Sequence, residues 1–140
     1  MASKAGLIGA KSRDAWKYWH KTQCPPWGSR FWGLDVDFVL VDKNPPRIIA
    51  VLDYKQPHDI VGFSEVIAYN AFIDAGMGVF IITAQWNQDS GYPKFKAFQI
   101  EEYLGGDYRP NPPVVQLKLV MQNGSEMDYW KWERKLRGER

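Results

Sequence analysis

Two apolar runs, Leu34-Asp35-Val36-Asp37-Phe38-Val39-Leu40-Val41 and Ile48-Ile49-Ala50-Val51-Leu52, stand on either side of Asn44-Pro45-Pro46. The short proline-rich gap leaves room only for a turn, so the segment reads as a β-hairpin whose β-branched residues belong in a core. Side chains alternate faces along a strand, so Asp35 and Asp37 share a face opposite Val36, Phe38 and Leu40. Just beyond the second run, Asp53 and Lys55 share a face while Leu52 and Tyr54 take the other. Three charged groups placed among β-branched residues weaken a core unless they meet water, each other or an ion. When the hairpin closes, two carboxylates and an ammonium converge on one patch that can hold a divalent cation and a water. Mg²⁺ suits such a patch, because it binds oxygen, keeps several waters and takes few protein ligands. In-line attack on a phosphodiester needs the same parts: a polarised phosphoryl oxygen, an activated water and a stabilised leaving oxygen.

The chain then reads as strand, helix, strand. Gln56-Pro57-His58-Asp59 is a turn, and residues 63–75 form an amphipathic helix with Phe63, Val66, Ile67, Ala71 and Phe72 at helical spacing. Gly76 and Gly78 close it, and Val79-Phe80-Ile81-Ile82-Thr83 has the continuous apolar character of a strand covered on both faces. That order favours a right-handed parallel crossover. Glu65 and Tyr69 lie one turn apart on the helix, where the plainer reading is a solvated face. Upstream, residues 11–22 predict a helix with Ser12 as N-cap, an aromatic side (Trp16, Tyr18, Trp19) to pack on the sheet and a basic side (Arg13, Lys17, Lys21) to meet solvent or phosphate. A loop over residues 23–33 interleaves Arg30 with Trp27, Phe31 and Trp32. Downstream, Lys94 to Ile100 alternates as a strand, Glu101 to Leu104 reads as a short turn or helix, and residues 105–113 as a loop. Residues 114–120 add an edge strand. Ser125-x-x-Asp128 opens a last helix as a capping box, with Tyr129, Trp130, Trp132 and Leu136 on its apolar side.

An Asp followed about a hairpin later by Asp-x-Lys resembles the signature of the PD-(D/E)xK nuclease superfamily, over residues 31–84. The small size is similar to that of Holliday junction resolvases, restriction-endonuclease-like proteins and phage nucleases. The resemblance implies a three-layered α/β domain, the restriction-endonuclease-like fold, with a central mixed sheet of four or five strands flanked by helices, in a single domain over residues 1–140. It implies a Mg²⁺ (or Mn²⁺) ion held by Asp37, Asp53 and the carbonyl of Tyr54, with Lys55 positioning the nucleophilic water. Asp35 competes with Asp37 for the first ligand. Glu65 and Tyr69 are similar to the Gln-x-x-x-Tyr pair of the RecB-like and Cas4-like branch, with Glu in place of Gln. Asp14 is the only acid in the first helix, an element that supplies a further metal ligand in several relatives. The activity implied is metal-dependent hydrolysis of DNA by a structure-selective endonuclease of the junction-resolvase type. A resolvase cuts two strands symmetrically and so implies a homodimer. The rival reading is an inactive nuclease-fold module that binds nucleic acid or a protein.

Charge distribution carries more than the net value of +2. Residues 1–34 hold six Lys/Arg against one Asp, residues 35–128 seven against thirteen acids, and residues 129–140 five against two. An acidic centre between basic ends suits a metal site between phosphate-gripping arms, with Arg13, Lys17, Lys21 and Arg30 as DNA contacts and Arg134, Lys135 and Arg137 as the alternative surface. One cysteine, Cys24, excludes an internal disulfide and a zinc site of several cysteines. A Cys24–His20 nucleophilic pair is disfavoured by Pro25-Pro26, which ends the helix between them. No run of apolar residues is long enough for a membrane helix, and the expected location is cytoplasmic.

Overall fold

The computed structural model describes residues 4–23, 34, 36–87 and 91–138, with side chains of the first helix from Ser12 onward. The chain divides into two compact units, Met1–Gly33 and Leu34–Arg140. In the first unit, α1 (Lys4–Gln23) begins about two turns before the expected start. Ser12 is therefore an interior residue and not a cap. Ala5, Leu7, Ala10 and Lys11 are strong helix formers and outweigh Gly6 and Gly9. Arg13, Lys17 and Lys21, four residues apart, share one side of the helix. Trp16, Tyr18 and Trp19, expected as a packing face, are exposed, and the Trp16 ring leans on His20 at a centroid distance of 5.4 Å.

In the second unit, five strands lie in the order β1 (Phe38–Lys43), β2 (Pro46–Tyr54), β3 (Gly78–Asn87), β4 (Lys94–Asp107) and β5 (Val114–Gly124). β1 and β2 form the expected antiparallel hairpin, with Phe38 opposite Leu52 and Lys43 opposite Pro46. α2 (Phe63–Asp74) carries the chain across to β3, which runs parallel to β2. β4 and β5 add antiparallel strands. The sheet is mixed because, among the described residues, the helical crossover lies between β2 and β3, whereas the other neighbouring strands pair antiparallel.

Strand alternation divides the core in two. Ala50, Leu52, Phe80, Ile82, Phe98 and Ile100 face α3 (Glu126–Leu136), whose Tyr129, Trp132 and Leu136 cover them. Val51, Val79, Ile81 and Tyr103 face the other way, against Val66 and Tyr69 of α2. The result is the expected three-layered α/β arrangement, with five strands between two helices. α2 is apolar nearly all round, so its spacing did not select a face. Phe63, Ile67 and Ala71, three of the expected core positions, are exposed, and Tyr69 is fully buried.

Several strand boundaries differ from expectation, and those of β3 and β4 do so for one reason. β1 starts at Phe38, so only the second half of the first apolar run lies in the ladder. β3 continues to Asn87, because β4 pairs with it as far as Lys94. β4 runs straight through Glu101–Leu104, expected as a turn or helix, and on to Asp107. Ile100 and Tyr103 are buried on opposite faces of the sheet, and Glu101 and Glu102 pair with Leu119 and Lys118 of β5. A long neighbouring strand thus overrides the weak local preference of Glu-Glu.

α3 starts as its sequence implies: Ser125 Oγ accepts from Asp128 N at 3.1 Å and Asp128 Oδ2 accepts from Ser125 N at 2.9 Å. This reciprocal cap fixes where the helix enters over the core. Ser125→Ala should cost about 1 kcal/mol of unfolding free energy, read as a lower urea midpoint at unchanged m-value.

Candidate functional site

The charged residues of the hairpin meet where β2 leaves the sheet. Extending the β1–β2 register by one residue sets Asp37 opposite Asp53. Asp37 is exposed, and its Oδ2 accepts a hydrogen bond from Tyr54 N at 2.9 Å. Lys55 N donates to Ile82 O at 2.9 Å. The backbone of Lys55 is thereby turned toward β3. Backbone groups of consecutive strand residues point to alternate sides, so the Tyr54 N–H and carbonyl both open on the Asp37 side.

Asp53 is only 4% exposed and points under α2. There its Oδ2 accepts a hydrogen bond from the hydroxyl of Tyr69. The same hydroxyl lies 3.2 Å from Glu65 Oε2, which also receives the Lys55 ammonium. Glu65 Oε1 accepts from Gly62 N at 2.9 Å, so this one carboxylate caps α2 and ties it to the end of β2. Further along α2, Asn70 Nδ2 donates to Gly106 O at 3.0 Å and Tyr103 donates to Asn70 Oδ1 at 2.7 Å. A Cβ at Gly106 would stand 2.9 Å from Val114 O, so glycine permits this close approach of β4 to β5. Together these bonds fix the rotation of α2 and hence the direction of Glu65 and Tyr69.

Burial pushes the Asp53 carboxyl above its ordinary value. The Tyr69 hydrogen bond opposes that shift, the adjacent Asp37 carboxyl adds to it, and the Lys55 charge opposes it. Burial also pushes the Tyr69 hydroxyl up, reinforced by its bond to Asp53 and by both neighbouring carboxylates. Tyr69 therefore keeps its proton and acts as a donor. It has one hydrogen for two carboxylates. Three carboxylates face a single ammonium in this cluster, which leaves two net negative charges when all are ionised.

That deficit is what a divalent cation neutralises, and the donors present are hard oxygens. Asp37, Asp53 and the Tyr54 carbonyl are the groups that can hold it. Glu65 is engaged by Lys55 and Tyr69, and among the described residues no three His, Cys, Asp or Glu side chains form a ligand group. Two carboxylates with a carbonyl and waters match the habit of Mg²⁺, which uses one or two carboxylates and retains much of its hydration.

Of the residues expected at the site, Asp37, Asp53, Lys55, Glu65 and Tyr69 come together. Glu65 and Tyr69 face the sheet and do not form a solvated helix surface. The signal for this was the apolar character of α2 on all sides, which leaves no purely solvated face. Asp14 is exposed on α1 with Arg13 and Lys21. Asp35 and Arg30, as well as Cys24, lie outside the described residues. The pairing of Lys55 with Glu65 was not anticipated, although the two stand only ten positions apart across one turn.

No family model, characterised protein or solved structure matches the chain. Among the described residues, no helix is long and apolar enough to cross a membrane.

The strain on Asp53 gives opposite expectations for two substitutions. Asp53→Asn keeps an acceptor for Tyr69 while removing a desolvated charge, and should raise stability by about 1 kcal/mol. Tyr69→Phe strips Asp53 of its buried donor and should lower stability by about 2 kcal/mol. Thermal melting of both variants beside the parent checks the pair.

Proposed function

We propose that this protein is a metal-dependent nuclease that hydrolyses DNA phosphodiester bonds, and that it resembles the PD-(D/E)xK superfamily in chemistry as well as in motif. The observation that carries this reading is the placement of Asp37 beside Asp53, with Lys55 just past the end of β2 and turned, like Asp53, toward α2. The hairpin, the α2 crossover and the parallel β3 support it, because they are the order of elements the resemblance implies.

Asp37, Asp53 and the Tyr54 carbonyl would hold Mg²⁺ or Mn²⁺. A divalent ion there would supply charge stabilisation at the phosphoryl oxygen and a more acidic water. Lys55, bonded to Glu65, presents its remaining N–H donors to the attacking water or to a phosphate oxygen. Glu65 holds that ammonium in place, and Tyr69 holds both Glu65 and Asp53. The roles divide accordingly: Asp37, Asp53 and Lys55 touch the reacting groups, while Glu65 and Tyr69 position them. The basic row Arg13, Lys17, Lys21, together with Arg30, grips phosphates without reading sequence. The substrates proposed are junctions, flaps or ends, selected by the shape of the DNA and not by its sequence. Symmetric cutting of a junction would use a homodimer.

Two experiments test this. Labelled junction, flap, single-stranded and duplex DNAs incubated with Mg²⁺, Mn²⁺ or EDTA should be cut only with metal. Asp53→Asn, Asp37→Ala and Lys55→Ala should each lose at least about 100-fold in rate with folding retained by circular dichroism, whereas Asp35→Ala keeps activity. Binding without cutting by the parent would favour the inactive module. Separately, replacing Arg13, Lys17, Lys21 and Arg30 should lower the slope of log affinity against log salt by roughly 3 to 4 on duplex DNA, measured by fluorescence anisotropy. An unchanged slope would move the contact to Arg134, Lys135 and Arg137.

A further inference from the structure

The sheet face turned away from α2 carries a cavity of about 470 Å³ between the hairpin, the start of β4 and α3. Its volume lies in the range of sites that enclose a small ring-bearing ligand. Five aromatic rings wall it: Phe38, Tyr54, Phe95, Phe98 and Tyr129. The walls are braced before any ligand arrives. Phe98 packs on Tyr129 at 4.9 Å and on Phe95 at 5.8 Å between centroids, and the Tyr54 hydroxyl donates to Ala84 O at 3.0 Å. Phe38 is 55% exposed and stands at the mouth.

Among the described residues, the charged residues of the lining are Asp37, Glu126 and Glu133, and none is basic. An anionic phosphate is repelled by such a lining, whereas a flat neutral ring with amino donors is accepted by both its walls and its rim. Glu133 is committed to Tyr129 and Arg137. Glu126 accepts from Phe95 N through Oε2 at 2.9 Å, which leaves its other oxygen for an amino donor. Asp37 belongs both to this lining and to the carboxylate pair. Its side chain lies past the first residue of β1, in the plane of the sheet, where both faces are within reach. Whatever fills the cavity therefore lies next to the proposed reaction centre.

We infer that the cavity takes an unstacked nucleobase from the nucleotide adjoining the scissile phosphate. This rests on the nuclease reading, and it gives that reading a basis for structure selectivity. A base inside a duplex must be unpaired and unstacked before it can enter, at a cost of a few kcal/mol that is least at a mismatch, a junction or a single strand. Adenine, cytosine and guanine offer the carboxylate rim an exocyclic amino group, which thymine lacks.

The test is a cycle between protein and substrate. The cut is first mapped on a single-stranded or junction DNA with Mn²⁺, and the two nucleotides flanking it are then replaced one at a time by an abasic site. Each substrate is cleaved by the parent, by Phe38→Ala and by Phe38→Trp. At one of the two positions, loss of the base should slow the parent roughly 10-fold, within the worth of one base–aromatic stack. Phe38→Ala should cut the intact substrate about 10-fold more slowly, yet show an abasic penalty below about 2-fold, because the two changes remove the same contact. Phe38→Trp should restore the penalty. Independent, multiplying penalties at both positions, or no abasic penalty at either, would overturn the pocket assignment while leaving the nuclease reading intact. Failure of the parent to cut any substrate with any metal would overturn the reading beneath it.

Discussion

The hydroxyl of Tyr69 meeting the carboxylate of Asp53 beneath α2 is the contact on which the rest of this arrangement depends. A buried carboxylate beside a second one is an unfavourable thing to fold around. It is tolerated here because a tyrosine, itself buried in the α2 face of the core, supplies a donor that burial keeps protonated. That bond acts with the Asn70 bonds to Tyr103 and Gly106 to fix the rotation of α2, the rotation presents Glu65 to Lys55, and Glu65 then caps the helix that carries it. A single four-residue spacing on one helix thus links core packing to the electrostatics of the strand end.

The two sides of the sheet differ in chemistry. On the α2 side lie Asp53, Lys55 and Glu65, each held by a named partner. On the α3 side lies an aromatic cavity whose lining, among the described residues, has no basic group. Asp37 connects them because it stands just beyond β1, bonded to the Tyr54 backbone and free of the ladder. This division follows from strand alternation alone: Asp53 and Lys55 point one way, Leu52 and Tyr54 the other.

Much of this was legible in the chain. The hairpin, the crossover helix, the capping box at Ser125 and the convergence of Asp37, Asp53 and Lys55 all follow from local spacing and from a period of two. What local pattern did not disclose was set by partners distant in sequence. β4 is longer than its own residues suggest because β3 pairs with its first part and β5 with Phe98 to Asp107. The buried face of α2 was ambiguous because nearly every side is apolar, and the Asn70–Tyr103–Gly106 bonds decide it. The aromatic cavity draws rings from β1, β2, β4 and α3, so no window of sequence contains it.

The central claim is that Asp37 and Asp53 form a site for one divalent cation, and calorimetric titration of Mn²⁺ measures it without reference to any substrate. The parent should bind one Mn²⁺ per chain, and Asp53→Asn should weaken that binding by at least about 10-fold while melting no lower than the parent. Identical isotherms for the two proteins, or no binding by the parent, would contradict the claim.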